Sequence, residues 1–212
     1  MAQLAPSTAG AAGGIPLPSG TIQPAWVRIA HWLNVLAVLV LVASGWRIYN
    51  ASPIFAFKFP KELTLGGWLG GALLWHFAAM WLLAVNGLLY LTGNIASGRL
   101  WRRFWPLRPR DVLADFIAAL SGKLGHDDLA HYNAVQKLAY LGAIALLILV
   151  VLSGLAVWKS VQLPLLRELM GGFDNARVVH FFAMSGIVAF VVVHVVMVAL
   201  VPKTFLLMIR GR

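Results

Sequence analysis

The sequence predicts an all-α integral membrane protein, a four-helix bundle with a short amphipathic helix on the membrane surface. Hydrophobic residues make up 60% of the 212 positions and charged residues 11%, far below the quarter charged that is usual in soluble domains. Four stretches, 29–46, 63–98, 138–158 and 178–202, hold no Asp, Glu, Lys or Arg. Each contains a core long enough to cross a bilayer as a helix. Backbone amides in lipid must bond within their own segment, which makes helices of these spans.

Residues 1–24 are rich in Ala, Gly, Pro and Ser and carry no charge, the composition of a disordered tail. They lack the basic start and apolar run of a signal peptide, which leaves the first span as the insertion signal. Residues 25–212 then form one transmembrane domain, with spans expected near 25–48, 66–92, 133–158 and 175–201. The connection 49–65 holds Pro53, Pro60, Tyr49, Phe55, Phe57 and Phe59, residues suited to the membrane interface. The long connection 94–132 begins with the basic-aromatic run RLWRRFWPLRPR. It continues into 111–120, where Val112, Leu113, Phe116, Ile117 and Leu120 form an apolar face at helical spacing, as in a helix lying on the membrane. The short connection 159–174 closes the bundle. No internal repeat is strong enough to use.

Of the 17 Lys and Arg, eleven fall on the side of the termini and the second connection, and six on the other. The positive-inside rule therefore places both termini in the cytoplasm of a bacterial inner-membrane protein. The net charge of +10 reads as a topology signal plus attraction to anionic lipid, with no nucleic-acid partner. Cysteine is absent, which excludes disulfides, thiolate-held iron–sulfur clusters and thioether-attached haem.

Histidines carry the functional signal. His180 and His194 stand 14 residues apart on the fourth span, about 40° short of four full turns and roughly 21 Å apart by rise. Both imidazoles thus face nearly one side. Span four starts outside, so His180 lies at an outer level and His194 at an inner one. His76 lies some ten residues into span two from the outside, and His31 within the first two turns of span one from the inside. Depth pairs His76 with His180 (outer) and His31 with His194 (inner). A lone intramembrane His often makes only an interhelical hydrogen bond worth about 1 kcal/mol, but unconnected structural histidines have no reason to match in depth.

The seven acids stand at 62, 111, 115, 127, 128, 168 and 174, outside the apolar cores, so a carboxylate-bridged di-iron site lacks its ligands. Zinc or copper would want a third or fourth donor at each level. Two imidazoles complete a six-coordinate haem and leave no open position, which favours electron transfer. The expected cofactors are two bis-histidine haems b. Gly70, Gly71, Gly142, Ser153, Gly154, Ser185 and Gly186 fit either entry of a flat macrocycle or close helix packing. Arg47 and Arg177 outside, and Arg28 inside, fit either haem propionates or plain interface anchoring. His126 and His131 read first as solvent-side residues, with Asp127 and Asp128 capping a helix. Proton delivery from these four to a quinone at the inner face is the alternative.

The stretches RIAHWLN, GGWLGGALLWHFAAMWLL, YNAVQKLAYLG, ARVVHFFAM and VVHVVMVALVP, taken in order over residues 24–212, resemble the bacterial cytochrome b561-type membrane proteins. The likeness is strongest to the thiosulfate reductase cytochrome b subunit-like group, and more distant to the cytochrome b subunits of formate dehydrogenases and nickel–iron hydrogenases. The resemblance implies two haems b ligated by His31, His76, His180 and His194, paired as above. It implies a quinone-linked electron carrier, often beside a periplasmic molybdopterin oxidoreductase that does the substrate chemistry. The quinone-site residues of better-known relatives have no match here. Two rivals remain open. One is a stand-alone di-haem enzyme passing electrons from superoxide to quinone. The other is a transporter or proton channel with histidine relays, which the lack of intramembrane carboxylates and of a repeat disfavours.

Overall fold

The computed structural model describes residues 22–105, 108–120 and 133–211. Most of the N-terminal tail, and the segment holding His126, Asp127, Asp128 and His131, lie outside the described residues. Helices α1 (Ala25–Ala51), α2 (Leu69–Ala96), α5 (Ala134–Trp158) and α7 (Phe173–Leu200) are long and apolar enough to span a membrane. Between them lie a 3-10 turn (Lys61–Leu63), α3 (Arg99–Phe104), α4 (Pro109–Leu120) and α6 (Pro164–Leu169), and α8 (Pro202–Arg210) follows. The expected surface helix 111–120 is α4; the short helices α3, α6 and α8 were not anticipated from sequence. Large side chains such as Leu74, Leu88, Leu89 and Leu200 point outward, as lipid-facing residues do.

Local chemistry sets the ends. Helix α2 starts three residues later than expected because Gly66 and Gly67 turn at φ 104° and 69°. The Gly66 carbonyl lies so close to the first turn that a Cβ on Gly71 would stand 2.3 Å from it. Helix α5 starts at a capping box: Asn133 Oδ1 accepts from the Gln136 amide at 2.8 Å, and Gln136 Oε1 accepts from the Asn133 amide at 3.2 Å. Asp115 of α4 adds a carboxylate that accepts from the Ala134 amide at 2.6 Å, satisfying another free donor at the positive helix end.

The spans pack as two antiparallel hairpins, α1 with α2 and α5 with α7. Within the first, the buried residues step by seven: Ala30, Ala37 and Ser44 on α1, Ala72, Ala79 and Asn86 on α2. Small residues at this period let backbones approach closely where lipid removes any hydrophobic drive. Asn86 locks the seam by donating to the Ala30 carbonyl at 2.8 Å and to Asn34 Oδ1 at 2.7 Å. Ala176 and Ala183 hold the same period on α7.

Close helix packing lies within the hairpins, and hardly any lies between them. The hairpins meet at their ends. At the end opposite the termini, Arg177 of α7 donates to the Ser52 carbonyl at 2.6 Å, and Phe181 rests on Tyr49 and Phe55 with ring centres 5.3 Å away in each case. At the terminal end, α8 folds back on the start of α1. Arg28 donates to the Ile209 carbonyl and Trp32 Nε1 to the Met208 carbonyl. The amides of Ile22 and Gln23 donate to the Gly211 carbonyl at 2.9 and 3.1 Å, so these two residues of the expected tail are fastened to the other chain end.

Replacing Asn86 with Leu removes both interhelical bonds while keeping the number of side-chain heavy atoms. The expected cost is about 1 kcal/mol, measured as a lower unfolding midpoint in detergent; an unchanged midpoint would show the seam does not depend on Asn86.

Candidate functional site

The middle of the molecule, where the hairpins stand apart, is crossed by the four intramembrane histidines. His76 of α2 faces His180 of α7 with ring centroids 6.4 Å apart and planes at 65°. His31 of α1 faces His194 of α7 at 6.1 Å and 62°. These are the two pairs matched by depth, and each joins one hairpin to the other. All four side chains are half-buried.

The spacing has chemical content. A first-row metal–imidazole bond is about 2 Å, taking zinc as the guide, and a ring nitrogen lies about 1 Å from its ring centre, so imidazoles on opposite sides of one metal have centres roughly 6 Å apart. Both pairs meet that distance. Among the described residues no group of three or more His, Cys, Asp or Glu could hold a metal ion by itself. The donor set fits a group that would take two imidazole nitrogens from the chain and bring its remaining donors with it.

The surroundings of the two pairs differ. Next to His76, Ser44 Oγ lies 3.1 Å from Nδ1. Next to His180, Ser153 Oγ lies 3.2 Å from Nδ1 and the Val150 carbonyl 3.0 Å from it. Each serine precedes a glycine against which the imidazole packs: a Cβ on Gly45 would stand 3.4 Å from His76 Cε1, and one on Gly154 would stand 3.2 Å from His180 Cε1. The other pair has aromatic neighbours. Trp32 sits edge-on to His31 at 5.4 Å, and Phe190 stacks on His194 at 5.8 Å and 14°.

Ser44 and Gly45 are absent from the residues singled out by sequence, and Ser153 and Gly154 figure there only as small residues. The two stretches that hold them, ASGWRIY at 43–49 and LSGLAVW at 152–158, both place Ser-Gly on the helix beside a histidine-bearing neighbour. Of the three arginines, Arg177 holds Ser52 and lies 4.0 Å from Asp174. Arg28 holds Ile209, while its Nε is buried with no hydrogen-bond partner among the described residues. Arg47 shows no hydrogen bond or ion pair among the described residues.

The family model for prokaryotic cytochrome b561 matches residues 22–211. The chain belongs to the prokaryotic cytochrome b561 family. It is 67% identical over 190 residues, 90% of this chain and 96% of the relative, to "Putative protein-methionine-sulfoxide reductase subunit YedZ1" of Azospira oryzae. It is 26% identical over 209 residues, 87% of this chain and 80% of the relative, to "Probable Ni/Fe-hydrogenase B-type cytochrome subunit" of Cupriavidus necator. No solved structure matches it. Membership makes this a membrane electron-transfer cytochrome that binds haem b, and it speaks against the relay transporter.

Gly154→Ala sets a methyl against the His180 ring, whereas a Cβ at Gly142 meets nothing within 4 Å. The expectation is that Gly142→Ala holds or raises the thermal midpoint and that Gly154→Ala lowers it, through an overpacking cost of about 1 kcal/mol. Equal midpoints would show that the close approach at Gly154 is not needed.

Proposed function

We propose that this cytochrome holds two haems b, one between His76 and His180 and one between His31 and His194, and moves electrons between a quinone and a redox partner across the membrane. The observation that carries this reading is the pair of cross-hairpin imidazole spacings, 6.4 and 6.1 Å, in a chain without intramembrane acids or Cys to serve another metal. When bound, haem supplies a reversible one-electron change at iron.

The chain's own residues do the rest. His76 with His180, and His31 with His194, would each hold one haem, and with both protein ligands supplied by the chain the group would serve electron transfer rather than substrate or oxygen chemistry. Helix α7 carries one ligand of each pair, and its rise keeps the two levels roughly 21 Å apart. The apolar spans keep water and ions from the path. Arg47, Arg28 and Arg177, at the two ends of the spans, would hold the propionates.

The proposed setting is the bacterial inner membrane, with the termini and the 97–133 connection in the cytoplasm, as the excess of cations there supports. The first-named relative is called a subunit of a protein-methionine-sulfoxide reductase. That name supports a reductase partner that acts on oxidised methionine in protein and is fed through this chain; a periplasmic place, a molybdopterin centre in that partner and quinol as the donor are the rest of the proposal.

The purified protein is expected to show a b-type reduced-minus-oxidised spectrum and about two haems per chain by pyridine haemochrome assay. His180→Ala and His194→Ala should each leave one haem, and the double variant none. Retention of both haems in either single variant would overturn the ligand assignment.

A further inference from the structure

The two serines beside the His76–His180 pair decide which nitrogen of each ring carries a proton. Ser44 Oγ lies 2.6 Å from the Val40 carbonyl, and Ser153 Oγ lies 2.7 Å from the Leu149 carbonyl. A hydroxyl has one hydrogen, and in both serines it is committed to the carbonyl four residues back. Towards the imidazole each serine therefore offers only a lone pair. The Nδ1 atoms of His76 and His180 must be the donors, at 3.1 and 3.2 Å. For His180 a second acceptor confirms the sense, because the Val150 carbonyl 3.0 Å away can only accept. Nε2 is left in both rings as the nitrogen with a free lone pair. Ser44 and Ser153 are fully buried at 0% exposure, so water cannot replace them as acceptors.

At the other level nothing comparable is present. Among the described residues His31 and His194 make no side-chain hydrogen bond, and their neighbours are the rings of Trp32 and Phe190. Both levels have two imidazoles at similar spacing, yet only one has its rings bonded from behind.

We propose, resting on the di-haem reading above, that Ser44 and Ser153 are positioning residues that hold His76 and His180 as Nδ1–H donors and thereby lower the reduction potential of the haem at that level. Donation from Nδ1 raises electron density at Nε2 and makes each imidazole a stronger ligand. A stronger ligand favours the ferric over the ferrous state of a one-electron couple. Gly45 and Gly154 complete the device by letting the rings lie close enough for the bond to form. The duplicated Ser-Gly thus makes two otherwise similar centres electrically different.

The test is a redox titration of the intact, haem-loaded protein, followed in the b-type α-band. The relevant wave is the one that His180→Ala abolishes. Ser44→Ala and Ser153→Ala should each shift that wave to more positive potential. The double variant should shift it further, with two haems retained and the other wave unmoved. Ser→Thr at each position, which keeps the hydroxyl, should restore the original potential. Thr92→Ala, which removes a hydroxyl bonded only to its own helix, should move neither wave. An unmoved wave, an equal shift of both waves, or loss of haem that Thr does not recover would each overturn the inference. Wild-type protein without two b-type waves would overturn the di-haem reading and this inference with it; two waves indifferent to the serines would overturn this inference alone.

Discussion

Helices in lipid have no hydrophobic reason to associate, so what holds them is close backbone approach and the few polar contacts they can make. In this chain those resources are spent within the hairpins. The seven-residue steps of Ala30, Ala37 and Ser44 against Ala72, Ala79 and Asn86 zip α1 to α2, and no equivalent seam joins the hairpins. Their union rests on fasteners at the membrane faces: Arg177 with Ser52 and the aromatic cluster around Phe181 at one end, α8 on the start of α1 at the other. Two pairs of plates bolted at top and bottom leave a slot between. Among the described residues, the two histidine pairs reach across it, as does Phe77 of α2 on Trp158 of α5 with ring centres 5.0 Å apart.

Such a slot is an unusual thing for a small membrane bundle to maintain, and it explains features that otherwise look like weak packing. Among the described residues the largest fully buried side chains are serines, and eight alanines are buried with them. A bundle built to be stable without a guest would fill its centre with Leu and Phe. Here Leu74, Leu88, Leu89 and Leu200 face outward, and Leu83 and Leu207 are the buried leucines among the described residues. On the proposed reading, a macrocycle at each level supplies the missing apolar volume.

The spans and the depth pairing were legible in the sequence because both depend on one-dimensional facts: apolar length and distance from the membrane face. Ends were off by up to four residues where a tertiary contact decides the boundary, as at Gly66 beneath α2. Helix α8 escaped notice because it is short and directly follows a span; Pro202 opens it, and its purpose is visible only when Arg28 and Trp32 are seen to hold its last carbonyls. Ser44 with Gly45 escaped for a different reason. A Ser-Gly pair in an apolar helix is common, and its meaning comes from the neighbour it faces, His76, 32 positions away. The pair recurs in the spans at 153–154 and at 185–186, so two residues alone mark nothing, and only the ring faced by Ser44 and by Ser153 sets those two apart.

The two hairpins contribute unequally to the site. Helix α7 presents a histidine to each level, so the vertical distance between levels is set by one rigid element and is insensitive to how α1 and α2 slide. Helices α1 and α2 divide the opposing histidines between them, and Asn86 ties those two helices into a unit. Helix α5 presents no histidine and gives only acceptors, Ser153 and the Val150 carbonyl, behind the His180 ring. That division separates two properties. Position along the membrane normal belongs to α7. The electrical character of the level at His76 and His180 belongs to α1 and α5, through side chains that touch the rings from behind. One property can therefore change without the other, as electron carriers serving different partners would require.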